Sequence, residues 1–251
     1  MTKNTKVIAV IAVLAAIGAI IGVYNLETKK TPLSGNSGAQ KQEQKETIIS
    51  PEDLKQDETV IANFMDDENY PVTFISSQAP SNFTIGKSEP LPKGGGSHIT
   101  TPEEWQRTVN IYESKEFVAD TCEIYRFEVY PKTHEVVNIG LVYPKGRSTC
   151  DDSKSALFSP LISNEQIKTI GEKYLERSMP ETYSSVKDKF TLQPISKEDK
   201  NDRWEWLYED RDYKLPVELE AEPKYPTVRM FISNSGNLLQ YENTLSLLKN
   251  N

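Results

Sequence analysis

"MFISNSGNLLQY", Met230–Tyr241, sets apolar positions on either side of a Gly-containing turn and reads as strand, tight turn, strand. At an offset of 102 residues, "EVYPKTHEVVNI", Glu128–Ile139, repeats it with turn and apolar positions in step. Val136 and Val137 answer Leu238 and Leu239, Asn138 answers Gln240, and Val129 answers Phe231. Gly236 takes the place of His134. A loop of this length needs one left-handed residue, which Gly adopts freely and His tolerates better than most. One position does not fit: Arg229 stands against Phe127.

Each hairpin closes a segment that opens with a capped helix. In "ISPEDLKQDETVIANFM", Ser50 is the N-cap, Pro51 suits the first helical position, and Leu54, Ile61, Phe64 and Met65 recur at helical spacing. In "ISNEQIKTIGEKYLERSMP", Ser163 and Gln166 form a capping-box pattern. Ile167, Ile170, Tyr174 and Leu175 make the apolar stripe, and Pro180 ends the helix. The helix starts lie 113 residues apart and the hairpins 102, so two copies of one unit would be separated by an insertion or deletion; the alternative is two independently similar hairpins.

Extended segments fill the rest. "RWEWLY" alternates, with Trp204, Trp206 and Tyr208 on one face. That face either packs on the capped helix or holds a peptide or glycan, since Trp and Tyr concentrate binding energy. "SEPLPKGGGSHITTPEEW" reads as a long exposed loop, after which Thr101, Pro102 and Glu104 could cap a short helix.

The N-terminus carries a different signal. "VIAVIAVLAAIGAIIGVY", residues 7–24, lacks charge and as a helix would reach about 27 Å, enough to cross the hydrocarbon. Lys3 and Lys6 precede it, and the apolar run continues past Ala16 and Gly18, beyond where a leader would be cut. An uncleaved anchor is the expectation, with residues 1–6 cytoplasmic. Residues 25–47, polar and poor in apolar side chains, read as a disordered tether. Units at 48–150 and 151–251 follow.

The part beyond Tyr24 holds 27 basic and 37 acidic side chains, a net of −10, which repels nucleic acid and anionic lipid. Cys122 and Cys150, the chain's two cysteines, flank the first hairpin, and a disulfide there would pin its open end in an oxidising compartment. The alternative is two unrelated buried thiols. Asn82-Phe83-Thr84 is a glycosylation-type sequon.

No catalytic constellation stands out. Of two histidines, His134 sits at a turn and His98 in a Gly-rich loop, and no GxSxG elbow is present. "TIGKS" lacks the first Gly of a phosphate loop, which would fall at Ser81. Two His and two Cys, well separated, do not make a transition-metal site, and the alternating Glu218, Glu220 and Glu222 read as a solvated face. Neither a metal nor a cofactor is expected.

The helix opening "ISNEQIKTIGEKYL", the strand "RWEWLY" and the closing "VRMFISNSGNLLQY" make residues 162–244 resemble a PepSY-type module. Residues 49–143 resemble it through helix start and hairpin. The resemblance implies an α+β fold with two helix-plus-antiparallel-sheet units in tandem. It also implies a non-enzymatic role, inhibiting or chaperoning a peptidase or binding another cell-surface protein. The expectation is a single-pass, extracytoplasmic binding module that uses a sheet face or an open edge strand. The alternatives are a hydrolase with paired carboxylates, and a carbohydrate-binding or sensor module presenting Trp204 and Trp206.

Overall fold

A computed structural model describes residues 49–91, 96–118, 121–144, 161–195 and 203–249. The predicted membrane anchor, the tether, Cys150 and the boundary near residue 150 lie outside these residues. Among the described residues, no helix is long and apolar enough to cross a membrane.

Both predicted helices form where their caps place them. Helix α1 spans Pro51–Met65, with the Asp53 N–H donating to Ser50 Oγ at 3.1 Å. Helix α2 spans Asn164–Ser178 and has the full capping box: Gln166 N–H donates to Ser163 Oγ, and Ser163 N–H donates to Gln166 Oε1 at 2.9 Å. The apolar stripes face inward, with Ile61, Phe64, Ile167 and Leu175 all buried.

Four strands follow α1 into the main sheet: β1 (Val72–Gln78), β4 (Val109–Ser114), β5 (Ile124–Tyr130) and β6 (Glu135–Val142). Four more follow α2: β7 (Thr191–Ile195), β8 (Arg203–Glu209), β10 (Thr227–Ser233) and β11 (Leu238–Asn243). Instead of two sheets they form one, eight-stranded and antiparallel, in the order β1-β4-β5-β6-β11-β10-β8-β7. Each half thus contributes a capped helix and four strands to one shared sheet. Two four-stranded halves would each expose the backbone of a closing strand, and pairing β6 with β11 removes both open edges. The core is shared as well: Phe64 of α1 packs edge-on against Tyr241 of β11 at 5.1 Å and beside Tyr174 of α2 at 5.5 Å.

The seam has local twofold character. Across it Ile139 faces Tyr241, Gly140 faces Gln240, and Asn138 faces Glu242. Shifting by 102 residues converts Asn138 to Gln240, Ile139 to Tyr241 and Gly140 to Glu242, so exchanging the halves reproduces the same pairs.

The turns behave as read. His134 has φ 51° and Gly236 φ 86°. The strand before each turn needs one correction. Val129 pairs with Val136, and Ile232 pairs with Leu238, each after a break in register. Val129 therefore corresponds to Ile232, not Phe231, because the first turn is one residue longer. The misfit disappears with this shift: Phe127 matches Met230, both fully buried, and Arg126 matches Arg229.

The face opposite the helices is covered by a three-stranded sheet, β3-β2-β9, with β2 at Thr84–Pro90, β3 at Ser97–Thr100 and β9 at Glu220–Glu222. The expected long loop is thus largely a β2–β3 hairpin, followed by a short 3-10 turn at Glu103–Trp105. Phe83, Ile85, Leu219 and Ala221 pack there against Ile111 and Val137 of the main sheet. Leu247 and Leu248 of the closing helix α4 (Leu245–Lys249) complete this second core. Glu218, Glu220 and Glu222 face solvent, in alternation with buried Leu219 and Ala221.

Candidate ligand cleft

A charged residue interrupts the apolar stripe of α1. Asp57, in line with Leu54, Ile61 and Phe64, is fully buried. Its carboxylate accepts from Asn110 Nδ2 at 2.8 Å, from the Tyr112 hydroxyl at 2.9 Å, and from His134 Nδ1 at 2.7 Å. Burial, with the Asp57 charge next in importance, pushes the Tyr112 hydroxyl far above its ordinary range, so it stays a donor. The network fastens the first hairpin turn to α1 and commits the Nδ1 face of the His134 ring. In the second half the same junction is apolar: Ile170 stands where α1 has Asp57, and its side chain lies over Gly236.

Beside this junction a cleft of about 610 Å³ opens between α1, the first turn, the end of α2 and the start of α4. Short helix α3 (Tyr183–Val186) forms part of its wall. Val60, Phe64, Val136, Met179 and Val186 give it an apolar side. Glu135 and Glu181 line it together. The Ser246 hydroxyl donates to Glu135 Oε2. Burial pushes the Glu135 carboxyl above the usual carboxylate range, and the charge of Glu181 acts in the same direction. Arg177, also on the wall, is held elsewhere: Nη1 meets Asp66 Oδ2 at 2.8 Å and the guanidinium lies over the Tyr174 ring at 4.9 Å.

Comparison with known proteins adds little. No protein-family model matches the chain, and no curated protein matches it. One solved structure, the Bacillus megaterium YpeB C-terminal domain, matches at 12% identity and a TM-score of 0.41 over 80% of this chain. The chain spans 66% of that neighbour's length. A likeness of that size leaves fold and function to be argued from this chain's own residues, and the PepSY resemblance rests on the motifs that suggested it.

Of the described residues singled out in the sequence as candidates for a site, His134 and Tyr208 line the cleft and the others lie elsewhere. Trp206 and Tyr208 are only 3% and 8% exposed, and Trp204 is half-buried against the same core. Trp206 lies under α2 and Tyr208 beside Phe190, while Tyr208 also lines the cleft. Cys122 is buried just before β5. Asn82 is exposed, and its Nδ2 donates to Asn138 Oδ1 at 3.4 Å. His98 lies on the exposed β3, 3.7 Å from Glu89.

The outer strands of the main sheet, β1 and β7, are irregular. In β1 the register breaks between Phe74 and Ser76, and β7 contains Pro194, which has no N–H to offer. Both features discourage strand addition. Sequence reasoning passed over Asp57, Glu135 and Glu181. Asp57 had a legible signal, an acid inside an apolar helical stripe, whereas the glutamates sit in ordinary polar surroundings along the chain.

Proposed function

We propose that this chain is a non-enzymatic binding module, PepSY-like in its helix-and-hairpin units, held outside the cell by residues 7–24, and that it engages a protein partner through the helix-side cleft. The observation that carries the reading is a preformed cleft with an apolar side, three of whose polar groups are held within the protein: His134 Nδ1 by Asp57, Arg177 Nη1 by Asp66, Glu135 by Ser246. Such groups shape and charge a surface that a partner can read. A peptidase is the partner class to try first. Titrating the full chain into secreted peptidases should give saturable, stoichiometric loss of their activity or saturable binding, with no substrate consumed by the chain itself.

A second reading, hydrolysis by paired carboxylates, has one observation in its favour: Glu135 is raised by burial and shares the cleft with Glu181. Turnover of a peptide or glycoside that disappears in Glu135→Gln would establish it and remove the first reading.

The extracytoplasmic placement makes a covalent prediction. Cys122 and Cys150 should form one disulfide, so the denatured, unreduced chain takes up no alkylating reagent and takes up two equivalents after reduction. Alkylation of both thiols without a reductant would place the body in a reducing compartment.

A further inference from the structure

Building on the binding-module reading, we propose that the cleft is a receptor for one lysine or arginine side chain of a peptide partner, with the aliphatic stem along Val60, Phe64 and Val136 and the cationic head between Glu135 and Glu181.

The volume, about 610 Å³, falls among small-ligand sites, and the lining combines apolar side chains with Glu135 and Glu181. A lysine or arginine stem buries its methylenes on such a wall while its head seeks charge. The cleft's own cation is engaged away from these acids. Arg177, the lysine or arginine lining it, is bound to Asp66 and stacked on Tyr174. His134 has Nδ1 on Asp57. Among the described residues, no lysine or arginine lies within ion-pair distance of Glu135. Glu135 is thus a half-buried carboxylate with a hydroxyl partner but no counter-charge, beside a second acid. The core does not need such a group: the second half places Asn237 at the equivalent position after its turn, with its N–H on Ser233 Oγ. A carboxylate kept at a cost to folding marks a site of function.

The test titrates the full chain, by calorimetry, with a blocked Ala-Lys-Ala peptide, the same peptide carrying norleucine for lysine, and free 1,5-diaminopentane. The lysine peptide should saturate one site, and the norleucine peptide should bind at least about tenfold more weakly. Glu135→Gln should cut affinity for the lysine peptide about tenfold or more, while its melting temperature at neutral pH rises because the unpaired buried charge is gone. Equal binding of the lysine and norleucine peptides, or unchanged affinity in Glu135→Gln, overturns the proposal. Diaminopentane binding as tightly as the lysine peptide overturns the peptide assignment in favour of a small amine. If Glu135→Gln still binds or inhibits a peptidase as the parent chain does, this inference fails and the binding-module reading stands. Substrate turnover by the parent chain would defeat that reading itself.

Discussion

Asp57→Ala is expected to cost about 3–5 kcal/mol of unfolding free energy, the range for removing one partner of a buried charged network. The loss leaves Asn110 Nδ2 and the Tyr112 hydroxyl, both buried, without their acceptor, and frees His134 Nδ1 as well. Urea melts monitored by Trp fluorescence would measure it, and a change under about 1 kcal/mol would show that the network carries no load. The second half supplies the control. Its apolar junction, Ile170 over Gly236, can be copied as Asp57→Ile with His134→Gly. That double variant should lose less than the two single variants added together, by about 1–2 kcal/mol, because donor and acceptor leave at once. Recovery stays partial, since Asn110 and Tyr112 still point at the site.

Gly171→Ala is the second large effect, and its sign runs against helix propensity. In an open helix the change would stabilise by about 1 kcal/mol. Here a Cβ would sit 2.4 Å from Cζ2 and 2.7 Å from Cε2 of Trp206. The indole is rigid and 3% exposed, so relief requires α2 to lift from the sheet. Overpacking of that kind costs about 1–3 kcal/mol and sometimes more, and a net destabilisation of roughly 2–3 kcal/mol is expected. A thermal melt unchanged or raised by the substitution would mean that α2 does not rest on Trp206 as described. Adding Trp206→Phe should return part of the loss, because the smaller ring vacates the space the methyl group enters.

What was legible in the sequence was local. Ser50 with Pro51 and Ser163 with Gln166 located both helix starts, and His134 and Gly236 located the left-handed turn positions, because caps and turns are decided within a few residues. The alternation in Arg203–Tyr208 marked a strand, although Glu205, on the face opposite Trp204 and Trp206, is buried as well. The pairing of β6 with β11 was not legible: nothing in Glu135–Val142 distinguishes a strand paired on both sides from one left at an edge. The true match of the hairpin strands was hidden too. A turn longer by one residue shifts one strand and not the other, and only the cross-strand pairs reveal it. The β2–β3 hairpin was masked by Pro and Gly residues that signal a loop in isolation. The cleft was beyond reach, because Glu135, Glu181 and Val60 meet only after both halves have closed on one another.

The local axis through Ile139 and Tyr241 has a consequence for how the molecule can change. In a symmetric homodimer every substitution appears twice, so a residue that suits one site must be tolerated at its mate. Joined in one polypeptide, the halves are released from that constraint and each position mutates once. One helix–turn junction can then carry an acid and an imidazole while its twin carries an isoleucine over a bare glycine. Specialisation on one side, with the other left as scaffold, is what covalent linkage permits.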